Sequence, residues 1–305
     1  MASATLLLPA RARFAGALPA QVGKALGRAD RAQGESGERA QLRRHFQLVP
    51  DHWPVAALTR QLDAGDAAGG RWLRADPAYL APDMTGARLL AHGPALGLDA
   101  SDVAALLPAL KPLFGDAGLL LDAPEPSRWY LRLPSDSPLP DFAAPEDVVG
   151  DDLFGHLPHG ETGRRWRALF TEAQVLLHQH PWNAQRAAQG KPAVNALWFW
   201  GQGVLPQSVR TVYRQVRSRD DLLRALSGQA GVPESIEEGV DALVDLRHLK
   251  SRAMFVDEAL MPLLAELRGG KLAQVVLDFQ DGTQFTLRTG QRWRLLRRAL
   301  PQLDA

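Results

Sequence analysis

Cysteine is absent from the 305 residues. Its absence excludes disulfides, thiolate metal sites, iron–sulfur clusters and a cysteine nucleophile together. It accords with a reducing compartment, so a cytoplasmic, soluble protein is expected. An excess of either charge is also lacking: 35 Lys and Arg face 34 Asp and Glu, a formal net charge of +1. A dedicated nucleic-acid binder carries a basic surplus on one face, so no nucleic-acid partner is expected. Long apolar runs are missing too. The longest, Thr5–Pro9 and Ala196–Trp200, fall far short of the roughly 20 residues of a spanning helix. Leu6-Leu7-Leu8 is followed at once by Arg11 and Arg13, whereas a secretory signal puts its charge ahead of a longer apolar core. No membrane partner is expected. Nor is there a Gly-x-Ser-x-Gly elbow, a phosphate loop, a His-Glu-x-x-His pair or a dinucleotide fingerprint.

Hydrophobic residues make up 46% of the chain, and a folded chain this long buries roughly three-quarters of its unfolded surface. Thr5–Leu8 predicts a buried first strand, Pro19–Arg28 a short helix, and Ala29–Ala40 a surface loop. Gln41–Gln47 and Trp53–Leu62 read as helices. From Asp76 to Asp152 acids far outnumber bases. There Arg88–Ala91, Leu119–Leu121 and Trp129–Leu133 predict strands. Ser101–Leu113 predicts a helix capped by Asp99 or Ser101. Gly163–Gln179 shows the clearest helical stripe, with Trp166, Leu169, Phe170, Ala173, Leu176 and Leu177 on one face. Ala196–Trp200 reads as a strand buried on both faces. Thr211–Val216 and Asp241–Leu246 are further strands, with a helix over Asp220–Leu226 and another over Asp257–Leu267. Ala273–Phe279 and Thr283–Arg288 flank Asp281-Gly282 as a hairpin. Gln291–Leu300 predicts a basic amphipathic helix. No repeat of 20–50 residues is present. The pattern predicts an α/β fold with mixed α+β elements: a central, largely buried sheet flanked by helices, with a C-terminal β-hairpin and helix. The expected segments are 1–74, an acidic 75–150 that reads as an insertion or a separate domain, and 151–305.

Two places carry candidate chemistry. The densest histidine region holds His156, His159, His178 and His180, beside Asp151, Asp152 and Glu172. His178 and His180 are two apart and diverge by about 200° on a helix, so His156 and His159 in their Gly/Pro loop are the metal candidates. The alternative is ordinary surface and helix-end histidines. The second place runs from His180 to Pro206. Asn183, Arg186, Asn195, Trp198, Trp200, Gly201, Gln202 and Gly203 are its ligand-binding candidates. The glycines would let backbone N–H groups approach an anion, and Arg186, Lys191 or Arg210 would supply charge. The alternative is a buried strand and a tight turn, with the tryptophans there for packing. The basic set Arg292, Arg294, Arg297 and Arg298 with Trp293 reads as a solvated face or as a dock for the acidic middle, in one molecule or in a dimer.

His-Pro-x-Asn-x-x-Arg-x-x-x-Gly-x-Pro-x-x-Asn-x-Leu-Trp-x-Trp-Gly-x-Gly-x-x-Pro, over His180–Pro206, resembles the RpfE-type bacterial regulatory proteins, a family often labelled phosphoglycerate mutase-like. Arg74-Ala75-Asp76-Pro77, Pro126–Leu131 and the closing hairpin with Trp293-Arg294 extend the resemblance. A shorter part, Asn-x-x-Arg through Gly-x-Gly-x-x-Pro, is similar to archaeal-type cofactor-independent phosphoglycerate mutases of the alkaline phosphatase superfamily. That second resemblance implies a serine nucleophile beside two divalent metals, which stabilise attacking and leaving oxygens. It also implies an Asp at the end of the first strand, yet Thr5-Leu6-Leu7-Leu8-Pro9-Ala10-Arg11 offers no carboxylate there. Neither an Asp-Gly-x-x-Asp opening nor a C-terminal Asp-x-x-x-Asp-x-His set is present.

The expected protein is therefore RpfE-like and mutase-related, a regulatory or metabolite-binding protein without phosphoryl transfer and without a cofactor. Its partner would be an anionic metabolite or a regulatory protein, with a homodimer as one arrangement. One alternative is a metal-dependent mutase or phosphatase using Mn or Mg, with ligands drawn from His156, His159, His178, Asp151 and Asp152. Another is a protein-interaction scaffold.

Overall fold

The computed structural model describes residues 2–84, 86–233, 237, 239–294 and 296–303. Strands β1 (Ala2–Leu8), β2 (Asp30–Gln33) and β3 (Gln47–Val49) alternate with helices α1 (Ala20–Arg28), α2 (Glu38–Arg43) and α3 (Val55–Ala64). Then come β4 (Arg71–Asp83), β5 (Gly86–His92), α4 (Ala100–Asp116), β6 (Leu120–Glu125), β7 (Arg128–Leu133), α5 (Gly160–His178) and α6 (Trp182–Ala188). The chain continues through β8 (Ala196–Gly203), β9 (Ser208–Arg210), β10 (Gln215–Arg217), α7 (Asp221–Gln229) and β11 (Ala242–Asp245). Helix α8 (Met261–Arg268) and the hairpin β12 (Leu272–Phe279) and β13 (Thr283–Arg288) follow. The fold is mixed α/β, with sheets flanked by helices. No helix among the described residues is long and apolar enough to cross a membrane.

Two compact units emerge: Met1–Asp51 with Gln207–Ala305, and His52–Pro206. The acidic span 75–150 lies inside the second.

In the first unit the sheet order is β10-β11-β1-β12-β13-β2. β10, β11, β1 and β12 are parallel, while β13 and β2 run antiparallel at the far edge. β1 reads as a continuous apolar run because both its faces are covered: Leu6, Leu7 and Leu8 are all buried. On one face Phe14 stacks on Phe255 at 4.8 Å, and Phe279 meets Phe255 and Phe285 edge-on at 6.0 Å each. The Asp281-Gly282 turn closes the hairpin as expected, with Gly282 at φ +86°. Its space is filled, since a Cβ there would lie 2.2 Å from the Gly34 carbonyl oxygen.

The second unit is an antiparallel sheet built on β4. β8 lines one edge of β4; along the other edge β7 pairs with Arg71–Arg74 and β5 with Ala78–Asp83. Pro77 falls in the gap between β7 and β5, where its missing N–H costs no ladder bond on that side. Helices α4 and α5 pack on one face and α3 on the other. Asp99 caps α4, accepting from the Ser101 amide at 2.9 Å, while the Asp102 side chain returns to the Asp99 amide at 2.9 Å.

Several local expectations are corrected. The stretch Ala29–Ala40 is not a loop: β2 adds to the sheet edge beside β13, and α2 begins at Glu38. Nothing in Asp-Arg-Ala-Gln favours a strand, so the neighbouring edge decides it. Gln47, read as the end of a helix, opens β3, which pairs with β9. Of Thr211–Val216 only Gln215 and Val216 are strand, the start of β10; Thr211–Arg214 connects them to β9, which ends at Arg210. In the described part of Gln291–Leu300 a short 3-10 helix, Thr289–Trp293, replaces the amphipathic α-helix; residue 295 lies outside the described residues. Arg294 is held by Asp30 at 2.6 Å and the Leu300 amide by the Gly23 carbonyl at 2.8 Å, which draws the segment out along α1.

Candidate functional site

Ligands of open α/β sheets bind beyond the carboxyl ends of parallel strands. In the first unit β1, β10, β11 and β12 end along one edge, and a cavity of about 850 Å³ opens there. Asp245 is the last residue of β11, and Arg247 turns back onto it. The Arg247 guanidinium donates Nε to Asp245 Oδ1 at 2.8 Å and Nη2 to Oδ2 at 3.0 Å. Its Nη1 reaches Glu38 Oε1 at 2.5 Å, and Nη2 lies 3.5 Å from Asp220 Oδ2. Ser218 Oγ donates to Asp245 Oδ2 at 2.7 Å and accepts from the Asp220 amide at 2.9 Å. Asp220 also caps α7, accepting from the Leu223 amide at 2.8 Å.

The electrostatics follow from these contacts. Burial alone would push the Asp245 carboxyl up, but hydrogen bonding and charge from Arg247 hold it below the usual carboxylate range. Glu38 moves the other way: burial, helped by Asp220, raises it against the pull of Arg247. Arg247 keeps its proton more firmly than usual, because its three acids outweigh the cost of burial. Arg13, Arg219 and His248 line the same cavity. All three are exposed, without a carboxylate partner among the described residues. The arrangement can bind an anion at Arg13, Arg219 and His248, while the cleft's own acids are engaged by Arg247.

Next to the cleft, near the end of β12, Asp278 is fully buried. Arg44 donates to it twice, at 2.7 and 3.0 Å, His45 Nε2 lies 2.6 Å away, and Gln284 donates at 3.0 Å. Tyr213 Oη is 2.8 Å from His45 Nδ1. Burial would raise the Asp278 carboxyl, but His45 and Arg44 hold it below the ordinary range. A carboxyl depressed in the folded state adds stability above its unfolded pKa, about 3.9, and loses it as pH falls through the folded value. Wild-type stability should therefore fall as the medium is acidified below about pH 4. Asp278→Asn should lose about 2 kcal/mol at pH 7 and show a flatter acid limb. Urea midpoints followed by far-UV circular dichroism from pH 7 to 2.5 check both; superimposable acid limbs would remove Asp278 as the titrating group.

No protein-family model matches the chain. Part of it is 30% identical over 109 residues to the 2,3-bisphosphoglycerate-independent phosphoglycerate mutase of Methanosarcina mazei, covering 34% of this chain and 28% of that enzyme. A Geobacter sulfurreducens protein described as a probable enzyme of the same kind matches at 30% over 109 residues, 34% of this chain and 27% of its own length. The Methanothrix thermoacetophila enzyme is 35% identical over 92 residues, 28% of this chain and 24% of the enzyme. The chain is a distant homologue of cofactor-independent phosphoglycerate mutases. The matched part spans little more than a quarter of the first two relatives. Among solved structures, the Thermoplasma acidophilum cofactor-independent phosphoglycerate mutase aligns over 94% of this chain and 89% of its own, at 13% identity and TM-score 0.43. A Pyrococcus horikoshii protein aligns over 97% and 90%, at 12% identity and TM-score 0.48.

The residues singled out between Asn183 and Gly203 lie in the second unit, where the side-chain polar atoms of Asn183, Arg186, Asn195, Trp198 and Trp200 meet the chain itself. Asn183 donates to the Leu177 and Val194 carbonyls at 2.8 and 2.9 Å and accepts from the Val194 amide at 2.8 Å. Asn195 both accepts from and donates to the Leu80 backbone at 2.8 Å. Arg186 is buried against Asp102 at 2.7 Å. Trp198 Nε1 donates to the Ala143 carbonyl at 3.0 Å, and Trp200 Nε1 to Asp76 Oδ2 at 2.8 Å. Gly201 and Gly203 have φ of +68° and +150° and face the start of α3. A Cβ on Gly203 would lie 2.6 Å from Pro54 Cβ, so the close approach there is to a helix start. Gln202, between them, is half-buried.

The histidines are spread out. His156 Nε2 lies 3.0 Å from Asp151 Oδ2, His159 precedes the first turn of α5, and His178 ends that helix. Asp152 pairs by its backbone with Arg88. Among the described residues no three His, Asp or Glu side chains form a group able to hold a metal ion. In the first-unit cleft, Glu38, Asp220 and Asp245 converge on the Arg247 guanidinium; as they stand, these donors do not fit a divalent ion. This cleft is not visible in the sequence, because Glu38, Ser218, Asp220 and Arg247 come from separate segments. The available signal was Asp245-Leu246-Arg247 at the end of the strand over Asp241–Leu246.

Proposed function

We propose that this mutase homologue binds a phosphate-bearing metabolite in the first-unit cleft and serves as a regulatory or binding protein without phosphoryl-transfer turnover, as the RpfE-type resemblance implies. The observation that carries this reading is the placement of Arg247. A guanidinium keeps its proton in proteins, and here it stands among the three carboxylates that a divalent ion would need. Arg13, Arg219 and His248 leave N–H donors for an anion at the same edge. Calorimetric titration with 3-phosphoglycerate should show salt-sensitive binding. The double variant Arg13→Ala/Arg219→Ala should bind at least tenfold more weakly, about 1.4 kcal/mol. Turnover of 3-phosphoglycerate with Mn²⁺ or Mg²⁺ that a chelator abolishes would overturn the proposal.

The serine hydroxyl of Ser218 beside the same acids favours a second reading, an active metal-dependent mutase or phosphatase in which Arg247 leaves the carboxylates. Arg247→Ala separates the two. On the first reading the variant gains Mn²⁺ affinity that the wild type lacks. On the second the wild type already binds Mn²⁺, and the substitution changes affinity little.

A further inference from the structure

The first unit holds a second cavity, about 500 Å³, that shares no residue with the cleft. It lies between α1, α8 and the end of β13. Leu287 in its floor pairs with Val275 near the start of β12, so the cavity sits at the opposite end of the sheet from the cleft. Leu264, Leu267 and Leu287 form the floor and are nearly fully buried. The rim is cationic: Lys24 and Arg28 from α1, Arg268 from the end of α8, and Arg292 from the 3-10 helix. Among the described residues none of these four has a carboxylate partner. Arg28 donates to the Arg292 carbonyl at 3.1 Å, and with the Gln21 amide turned so that its oxygen faces Arg268, both terminal nitrogens of Arg268 donate to it at 2.8 Å. This contrasts with Arg11, Arg44, Arg60, Arg74 and Arg247, each held by an acid. Four like charges around an aliphatic floor repel one another until a counter-anion joins them.

We propose that this cavity binds an amphipathic anion, an unbranched alkyl chain ending in a carboxylate or phosphate. The floor offers carbon alone, so it suits a group with no hydrogen-bonding edge and not a nucleobase. The amide of Gln291 is already spent on Asp30 and the Thr286 carbonyl at 3.0 Å each. The volume matches small-molecule sites of roughly 300–1,000 Å³. Three turns of an acidic helix would sweep out about 1,300 Å³, which the cavity does not provide. The headgroup meets the rim cations and the chain covers the leucines.

The test uses the full chain and dodecyl phosphate below its micelle concentration, followed by calorimetry. Saturable one-to-one binding is expected. Decyl phosphate should bind roughly tenfold more weakly, the loss of two buried methylenes. Lys24→Glu/Arg292→Glu, both at exposed positions, should weaken binding at least tenfold with an unchanged circular dichroism spectrum. Ala20→Trp, at the exposed mouth, should block the cavity. Four results would overturn the proposal: equal affinity for dodecyltrimethylammonium, equal affinity for inorganic phosphate, indifference to all three substitutions, or association with phosphatidylglycerol vesicles without binding of the monomeric amphiphile. A loss of 3-phosphoglycerate binding would leave this result untouched, because the two cavities share no residue.

Discussion

Asp76→Ala should destabilise the second unit by about 3–5 kcal/mol, the cost of leaving a buried charge without its partner. Arg74 and Asp76 are 4% and 1% exposed. Two apart on β4, they share a face of the sheet, and the guanidinium grips the carboxylate with Nε at 2.8 Å and Nη2 at 2.9 Å. Thr59 accepts another Arg74 N–H at 3.2 Å, and Trp200 donates to Asp76 at 2.8 Å. Arg74 also lies 5.3 Å from the ring centres of both Tyr130 and Trp200. Alanine at 76 would strand the guanidinium and the indole N–H together. At about 2–4 °C per kcal/mol for a unit of this size, melting should fall by about 10 °C. Tryptophan fluorescence reads this unit, since every tryptophan but Trp293 lies within 52–206. Replacing both charges, Arg74→Met/Asp76→Leu, should recover most of the loss. A loss below about 1 kcal/mol for the single variant, the range of a surface pair, would show that the pair is not a buried one.

Arg186→Met should cost a similar amount, about 3–5 kcal/mol, and should leave ligand binding alone. Arg186 is 1% exposed. Its guanidinium forms an ion pair with Asp102 at 2.7 Å, and its N–H groups donate to the Leu96 carbonyl at 2.7 Å and the Pro192 carbonyl at 2.8 Å. Trp182 Nε1 donates to the same Asp102 Oδ1 at 2.7 Å. One arginine thus ties α6 to the start of α4 and to the loop that leads into β8. Chemical unfolding gives the stability, and titration with 3-phosphoglycerate on the folded variant gives the affinity. A variant that folds as firmly as the wild type and loses the ligand would return Arg186 to a binding role.

The regular elements were legible where local pattern and tertiary need agree. The 3.6-residue stripe of α5, the capping acid of α4, the apolar run of β1 and the Asp-Gly hairpin β12–β13 each carry their signal within about ten residues. Where an element is made by its neighbour the sequence was silent. β2 is a strand because β13 offers an open edge, and β4 tolerates Pro77 because its pairing on one side changes partner there. The described residues after Trp293 lie along α1 because Asp30 and Gly23 hold them, against the helical spacing of their own side chains.

The most unusual stretch, Asn183–Gly203, stood out for its Asn, Arg, Trp and Gly residues, and in the structure these side chains hydrogen-bond to the chain or pack against it. A polar or aromatic residue looks alike in a sequence whether it waits for a ligand or satisfies a carbonyl. Only the partner decides, and Leu80, Asp102, Asp76 and Pro54 are remote in the chain. The cleft of Arg247 went unread for the same reason: Glu38 and Asp245 stand more than 200 positions apart. By itself the sequence determined the α/β class, the main helices and hairpin, the absence of cysteine chemistry and the mutase kinship, since each is written in composition or in short-range pattern. The tertiary structure decided which charges meet. A guanidinium among three carboxylates, a buried Arg74–Asp76 pair and a cationic rim over leucines are facts of distance, and electrostatic energy depends on separation in space and on burial, neither of which the order of residues records.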